Sequence, residues 1–278
     1  MRTASIVIPT RARAAYLEVA LRSVMPQAGD IEVVVVCDGP DAQSAAVAAR
    51  HGARVVTLAA PSGLNAARNA GVAATEGEMI VFLDDDVRVT EGWLEALLSG
   101  ARRFPDHGVL GGPIRAELEG GPRACGREPA PITTLDLGPL DRDAEVVWGA
   151  NMAIRRSVFA HVGGFDERLS GRGDEEEWER RFLAAGGRVG YIAGAAVVHR
   201  RDRADSRLIR LCRAAYALGR TARANDVRKG TAPATWYELR VLAGCGWHTL
   251  RRRCGYGIVM GAHAAGRLAE LVSHRRGS

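Results

Sequence analysis

Three acids in a row, Asp84-Asp85-Asp86, close the apolar run Met79-Ile80-Val81-Phe82-Leu83. Adjacent carboxylates repel one another, and a shared cation relieves the repulsion. Hard divalent ions such as Mg²⁺ and Mn²⁺ take oxygen ligands and often bind one or two carboxylates together with substrate phosphates. In an extended segment Asp84 and Asp86 point the same way. A solvated acidic turn is the alternative, and the position after a buried strand favours the cation. A second acidic run, Asp174-Glu175-Glu176-Glu177, opens a helix. The helix dipole alone accounts for two or three acids there, but a single carboxylate suffices as a general base. Between these runs lies Gly63-Leu64-Asn65-Ala66-Ala67-Arg68-Asn69-Ala70-Gly71. Gly63 permits a tight entry to a helix whose first N–H groups are free for an anion, and Arg68 adds a planar fork suited to phosphate. A surface ion pair is the alternative role for Arg68.

The elements that must position these groups follow from periodicity. Ser5–Ile8, Ile31–Cys37, Arg54–Leu58 and Met79–Leu83 are short apolar runs that read as strands. Between them Ala14–Val24, Asp41–Arg50 and Asn65–Ala74 have helical spacing, and Thr90 is expected to cap a helix through Arg103. Continuous apolar strands alternating with helices predict a parallel sheet covered on both faces, an α/β fold. Ligands of such sheets bind beyond the carboxyl ends of the strands. Pro9-Thr10-Arg11, Asp38 and Asp84–Asp86 follow the first, second and fourth strands, so three separate segments bring polar groups to one edge.

Residues 111–145 are rich in Gly, Pro and Asp, and are expected to be an irregular insertion that shapes a substrate site. Val146–Ile154 is strand-like, Gly163-Gly164-Phe165-Asp166 is a turn, and Asp174–Ala185 is a helix stopped by Gly186-Gly187. Two short strands, Arg188–Ile192 and Ala196–His199, follow. The rest reads as helix, with breaks near Lys229–Pro233 and Gly244–Gly246.

Six segments in order resemble the large family of inverting nucleotide-sugar glycosyltransferases with a GT-A fold, a Rossmann-like, mostly parallel central sheet flanked by helices. They are Val7-Ile8-Pro9-Thr10, Val36-Cys37-Asp38-Gly39, Gly63–Gly71, Phe82–Asp86, Trp148-Gly149-Ala150-Asn151-Met152, and Gly173–Trp178 with Arg181. Each is weak alone, and the ordered set is specific. The resemblance covers roughly residues 4–199, taken as a catalytic domain over 1–199, with 200–278 as a basic helical C-terminal extension.

That resemblance implies a metal-dependent transfer of a sugar, with inversion, from a nucleotide-diphosphate donor to an acceptor hydroxyl in glycan, glycolipid or natural-product biosynthesis. Pro9, Thr10 and Arg11 would line the nucleotide pocket, and Asp38 would bond the base. Arg68 would lie near the ribose or diphosphate, and Asp84 and Asp85 would face the ribose or donor sugar. Asp86 would hold Mn²⁺ or Mg²⁺, joined by His199. Aligning Arg181 with the arginine that closes the family's acidic motif makes Glu175 the base and Asp174 its acidic neighbour. Asn151 would bond a donor hydroxyl. Trp148 either stacks on a sugar face or fills the core. Two departures are Ala12, where many relatives have Asn, and Cys37, where many have a second Asp.

The 278 residues are 47% hydrophobic, 25% charged and 5% aromatic, an ordinary globular composition. The net charge of +6 conceals a division: residues 1–199 carry −6 and residues 200–278 carry +12. Such asymmetry suggests an anionic contact for the tail: a lipid headgroup, a nucleic acid or the acidic front of the same chain. The expected stripe Ile258, Ala262, Ala265, Ala269 and Val272 is Ala-rich and would anchor weakly, which favours packing. Five cysteines, an odd number without Cys-x-x-Cys spacing, argue against a disulfide framework and a zinc ribbon. With no signal peptide and no long apolar span, a cytoplasmic location is expected, extending to the inner face of the cell membrane.

Two other functions compete. A sugar-phosphate nucleotidyltransferase would share the sheet, but such enzymes open with a Gly-rich loop and a lysine, and the only lysine here is Lys229. A non-enzymatic binder of anionic polymers could use the tail. No nucleic-acid motif accompanies it, so no nucleic-acid partner is expected.

Overall fold

The structure, a computed structural model, describes residues 3–169 and 174–276. The chain divides into two units. One comprises residues 3–115, 134–169 and 174–199, and the other residues 116–133 and 200–276. Residues 116–133, which sequence pattern alone assigns to the front domain, group with the second unit.

The front unit begins with β1 (Ala4–Thr10), α1 (Ala14–Ala28), β2 (Glu32–Cys37), α2 (Ala42–Arg50), β3 (Arg54–Thr57), α3 (Leu64–Ala74) and β4 (Met79–Leu83). There follow β5 (Val87–Val89), α4 (Trp93–Arg103), β6 (Val109–Gly111), β7 (Ile114–Leu118), whose residues 116–118 belong to the second unit, β8 (Arg142–Ala144) and β9 (Asn151–Arg155). Next come α5 (Arg156–Val162), α6 (Asp174–Ala184), β10 (Val189–Tyr191) and β11 (Val197–Arg201), whose last two residues belong to the second unit. The main sheet has the order β3-β2-β1-β4-β9-β6-β10-β8. Strands β1 to β4 are parallel, while β9 is antiparallel to both β4 and β6.

Strand alternation sorts side chains to two faces. Ile6, Ile8, Val33, Val35, Val81 and Leu83 pack with Leu17, Leu21, Val47, Trp93 and Leu97 on one side. Val7, Val34, Val36, Ile80 and Phe82 pack with Ala67, Phe165, Trp178 and Phe182 on the other. Fully burying a large apolar side chain contributes roughly 1.5–3 kcal/mol, so the sheet is anchored from both faces. The approach of α3 to β1 requires Gly71, because a Cβ there would lie 2.3 Å from Val7 Cγ1.

Several local expectations change. Asp41 caps α2, accepting from the Ser44 amide at 3.0 Å, a bond worth about 1 kcal/mol. Thr90 does not cap α4. That helix starts after Gly92 (φ 70°), and Thr90 Oγ1 donates instead to the Ala196 carbonyl at 2.8 Å. Strand β9 begins only at Asn151, and residues 114–118 and 142–144 of the insertion form strands.

The second unit contains α7 (Leu208–Lys229), α8 (Thr235–Arg252) and α9 (Gly255–Arg276). The break near Lys229 is real, with Gly230 left-handed at φ 69°. Helix α8 runs through Gly244–Gly246, and the chain turns at Arg253 instead (φ 49°). Helix α9 buries Val259 and Ala264 and exposes Ile258, so its packed face is rotated from the expected stripe. Helices α7 and α9 meet backbone to backbone: a Cβ at Gly219 would lie 2.1 Å from the His263 carbonyl oxygen, and one at Gly266 2.1 Å from that of Tyr216. Arg267 bonds the buried Glu238 at 2.8 Å and Asp226 at 2.7 Å, so part of the tail's positive charge is neutralised internally. Among the described residues, no helix is long and apolar enough to cross a membrane.

Candidate active site

Strands β1, β2 and β4 end at one edge of the main sheet. Leu83 pairs with Asn151, so antiparallel β9 starts where β4 stops and brings residues 148–151 to the same edge.

The acidic triple is a turn rather than an extended segment, with the Val87 amide donating to the Asp84 carbonyl at 3.4 Å. Asp85 turns toward β1 and accepts from Thr10 Oγ1 at 2.7 Å and from Arg13 Nη1 at 2.7 Å. Asp86 accepts from Arg13 Nη2 at 2.9 Å. One guanidinium therefore bridges two of the three acids. Burial opposes the charge on Arg13, but Asp85 and Asp86 outweigh it and hold the cation. Burial pushes Asp85 up to about 7, with the charges of Asp86 and Asp84 adding to it against Arg13 and Thr10. Asp84 is raised by burial and then by Asp86, while Arg68 and His199 pull it down.

His199 reaches this cluster through β11, where it pairs with Val87. Its Nε2 lies 3.4 Å from Asp86 Oδ1, and both side chains are buried. Asp86 and His199, with the charge of Asp84 acting on them, offer carboxylate and imidazole donors of a kind that Mn²⁺ accepts. The mutual repulsion of Asp84 and Asp86 is of the kind a divalent cation relieves.

Asp38 is buried after β2. Its Oδ1 accepts from the Ser62 amide at 2.6 Å and the Gly63 amide at 3.1 Å, and Oδ2 lies 3.7 Å from the exposed Arg11. The N–H groups expected to await an external anion at the entry to α3 are thus partly taken by the chain's own carboxylate. Pro9 and Thr10 are buried in β1 opposite Val36 and Cys37. Ala12 adopts a left-handed conformation, φ 52°. Asn tolerates that region better than Ala.

Arg68, only 2% exposed, projects from α3. Its Nη1 donates to Asn65 Oδ1 at 3.3 Å and lies 3.8 Å from Glu175 Oε2. The guanidinium sits 5.5 Å from the Phe165 ring centre, a cation–π contact. Gly149 makes room for it, since a Cβ there would lie 2.1 Å from Arg68 Nη2.

Glu175 is carried by α6, whose orientation is fixed by apolar and polar anchors. Trp178 is fully buried, stacks on Phe182 and donates from Nε1 to the Gly163 carbonyl at 2.8 Å. Arg181 bonds Glu177 at 2.9 Å and the Gly164 carbonyl at 2.8 Å. Asp174 opens the helix, and its side chain lies outside the described residues. One turn beyond Glu175, on the same face, the buried Glu179 accepts from the Val147 amide at 3.2 Å. Burial pushes Glu179 up to about 8, the Val147 amide opposes, and the charges of Glu175 and Glu176 add.

Trp148 is half-buried against the core. Asn151 accepts from Trp93 Nε1 at 3.0 Å and donates to the Ala195 carbonyl at 2.8 Å, so its amide braces the start of β9. Sequence reasoning missed Arg13 and Glu179. Each had a signal: Arg13 lies three residues past the end of β1, and Glu179 lies four past Glu175.

The sequence profile described as glycosyl transferase family 2 matches residues 5–163. A pre-mycofactocin glycosyltransferase of Mycobacterium tuberculosis is 34% identical over 210 residues, covering 71% of this chain and 43% of that protein. An N-acetylglucosaminyl-diphospho-decaprenol L-rhamnosyltransferase of the same organism is 28% identical over 152 residues, covering 47% of this chain and 49% of that one. The chain thus spans less than half the length of these relatives. Among solved structures, GalNAc-T7 with UDP, GalNAc and Mn²⁺ superposes with a TM-score of 0.59 at 18% identity, over 73% of this chain and 44% of that one. Sheet order, flanking helices and profile agree: the chain belongs to glycosyl transferase family 2 and has its GT-A fold.

Proposed function

We propose that the protein transfers a sugar from a nucleoside-diphosphate donor to an acceptor hydroxyl with inversion at the anomeric carbon, using Glu175 as base. The observation that carries this reading is the convergence of Glu175, Arg68 and the Asp84–Asp86 turn, from α6, α3 and the end of β4. Pro9, Thr10, Arg11 and Asp38 border the nucleotide. Arg68 faces the diphosphate as a fixed, buried cation. Asp86 and His199, with Asp84 beside them, would hold a divalent metal, which would supply positive charge against the leaving diphosphate.

Glu175 accepts the acceptor's proton as the new oxygen–carbon bond forms and the bond to the diphosphate oxygen breaks. Inversion requires a base beside the acceptor hydroxyl, opposite the leaving diphosphate, and Glu175 would serve there on release from Arg68. Glu179 supports α6 from behind, and Asn151 acts by bracing β9 rather than by touching the sugar.

The acceptor is proposed to be lipid-borne and met at an anionic bilayer, at the inner face of the cell membrane. Two relatives are named for lipid-linked substrates, a glucosyl-dolichyl phosphate and a diphospho-decaprenol. In the second unit, α8 exposes Trp236 (63%), Trp247 (65%) and Leu250 (79%). Arg240 and Arg251 lie against the two tryptophan rings. Exposed Trp with Arg on one helix face suits an anionic interface. Trp236→Ala with Trp247→Ala should lower co-sedimentation with phosphatidylglycerol vesicles at low salt. Unchanged binding would remove the membrane.

The test of the activity is donor hydrolysis and transfer across a panel of nucleotide sugars with Mn²⁺. Binding and turnover of at least one donor, abolished in Glu175→Gln, is expected. A chain that neither binds nor cleaves any donor would overturn the proposal.

A further inference from the structure

The second unit gathers three soft ligands that the transfer reaction does not use. Cys125 lies in the segment 116–133, His248 on α8, and Cys254 at the turn between α8 and α9. Cys125 is distant in sequence from His248 and Cys254, which lie six residues apart, and the fold brings one atom of each within 4.8 Å of the others. Cys125 Sγ is 3.2 Å from His248 Nε2. Cys254 is fully buried, and its sulfur is faced by His248, Cys125 and the Gly257 amide, which favour the thiolate.

The surrounding backbone is shaped to hold this arrangement. The Gly255 amide donates to the Arg123 carbonyl at 2.8 Å, tying the loop before Cys125 to the residue after Cys254. A Cβ at Gly255 would lie 2.5 Å from Pro122 Cβ, and one at Gly257 2.5 Å from Thr249 Oγ1. The rigid Pro122 ring leaves no room for a side chain at position 255, and at 257 one would have to turn the Thr249 hydroxyl aside. On the far side of the imidazole, His248 Nδ1 lies 3.5 Å from Glu128 Oε1. One ring nitrogen meets the Cys125 sulfur and the other faces a carboxylate, the pattern by which an outer acid orients a metal-binding histidine.

We propose that Cys125, His248 and Cys254 bind one Zn²⁺ ion, with Glu128 orienting His248 and water in the fourth tetrahedral position. Zn–S bonds of ~2.3 Å and Zn–N bonds of ~2.0–2.1 Å separate tetrahedral ligands by roughly 3.5–3.8 Å. The observed spacing needs only small adjustments to reach that. On binding, the two thiols lose their protons to solvent and His248 ligates as the neutral imidazole through Nε2. The ion would staple segment 116–133 to the corner between α8 and α9. A Cys125–Cys254 disulfide would leave both the imidazole and its Glu128 partner without purpose.

The full chain, reduced with a thiol and freed of chelator, is loaded with ZnCl₂, desalted and analysed for metal. One tightly held zinc per chain is expected, lost in both Cys125→Ser and Cys254→Ser and kept in Cys212→Ser, whose thiol lies outside the cluster. Circular dichroism checks that the variants fold. Glu128→Gln, which leaves all three ligands in place, should weaken zinc about 10–100-fold in competition with a chromophoric chelator. Substitution with Co²⁺ should give a thiolate charge-transfer band that survives Asp86→Ala and vanishes in Cys125→Ser, which separates this site from the acidic turn. No zinc after loading, a cobalt spectrum without thiolate character, or thiols that react only after reduction would overturn the proposal, the last in favour of a disulfide.

Discussion

The Glu175 carboxylate lies 3.8 Å from the buried guanidinium of Arg68, joining α6 to α3 across the edge of the sheet. Glu175→Gln keeps the shape and removes the proton acceptor. Turnover should fall by about 10²–10⁴-fold while donor affinity changes little. Glu176→Gln, roughly 100° around the helix, should be much milder. Single-turnover rates of both variants decide the matter. A dead Glu176→Gln beside an active Glu175→Gln would move the base by one residue.

Glu179 gives a pH signature in stability rather than in rate. Its carboxyl is raised from 4.5 in the ordinary state to about 8 in the fold. The contribution of the protonated group is therefore fully present below about 4.5 and is lost as pH rises to about 8. Glu179→Gln keeps an oxygen for the Val147 amide and cannot ionise. Its melting temperature should exceed that of the parent at pH 8 and match it near pH 4.5. Parallel melting curves across that window would show that the buried acid carries no such cost.

Asp86→Ala should lower metal-dependent turnover by at least about 10²-fold, since charge stabilisation of the leaving group is lost. The fold should survive, because Arg13 keeps its 2.7 Å bond to Asp85. Undiminished turnover of this variant in chelator-treated buffer would dispose of the metal.

Gly149→Ala tests Arg68 without touching its charge. The new methyl would meet Arg68 Nη2 at 2.1 Å, and a side chain this buried has little space to retreat. Overpacking of this kind costs about 1–3 kcal/mol. A raised KM for the donor together with a lowered Tm is expected. A parental KM would mean that Arg68 has no part in holding the donor.

Ala12→Asn should raise Tm. Ala12 sits at φ 52°, where an L-residue other than Asn, Asp or Gly is strained by about 1–2 kcal/mol. No rise would place the relief of strain below the new side chain's own ordering cost.

Periodicity made the front of the chain readable. Ile6, Val7 and Ile8 alternate between two cores as their spacing requires, and Asp38 and Asp84–Asp86 follow strands whose ends coincide. Contacts between segments distant in sequence were not readable. Nothing in the pattern says that Arg13 would bridge Asp85 and Asp86, or that Ser62 and Gly63 would turn their amides to Asp38. Helix boundaries failed where a glycine competed with a better-known cap, as at Gly92 against Thr90. In the tail, the stripe on α9 was misplaced because Ala and Gly at nearly every turn leave the hydrophobic period poorly defined. The sulfur and imidazole cluster joins Cys125 to a His248–Cys254 pair more than a hundred residues away, a spacing that no motif announces.

Strand β9 sits between β4 and β6 although it follows both in the chain. During synthesis, β4 therefore has one open flank and β6 has no neighbour on that side until residue 155 has been made. A nascent chain stopped short of that point carries Met79–Leu83, five consecutive apolar residues, as an unpaired edge open to other strands. Closing it requires long-range antiparallel pairing, a slow class of folding event. Truncation before residue 155 should thus yield an aggregating fragment, whereas completing β9 should cap that edge before the three C-terminal helices emerge.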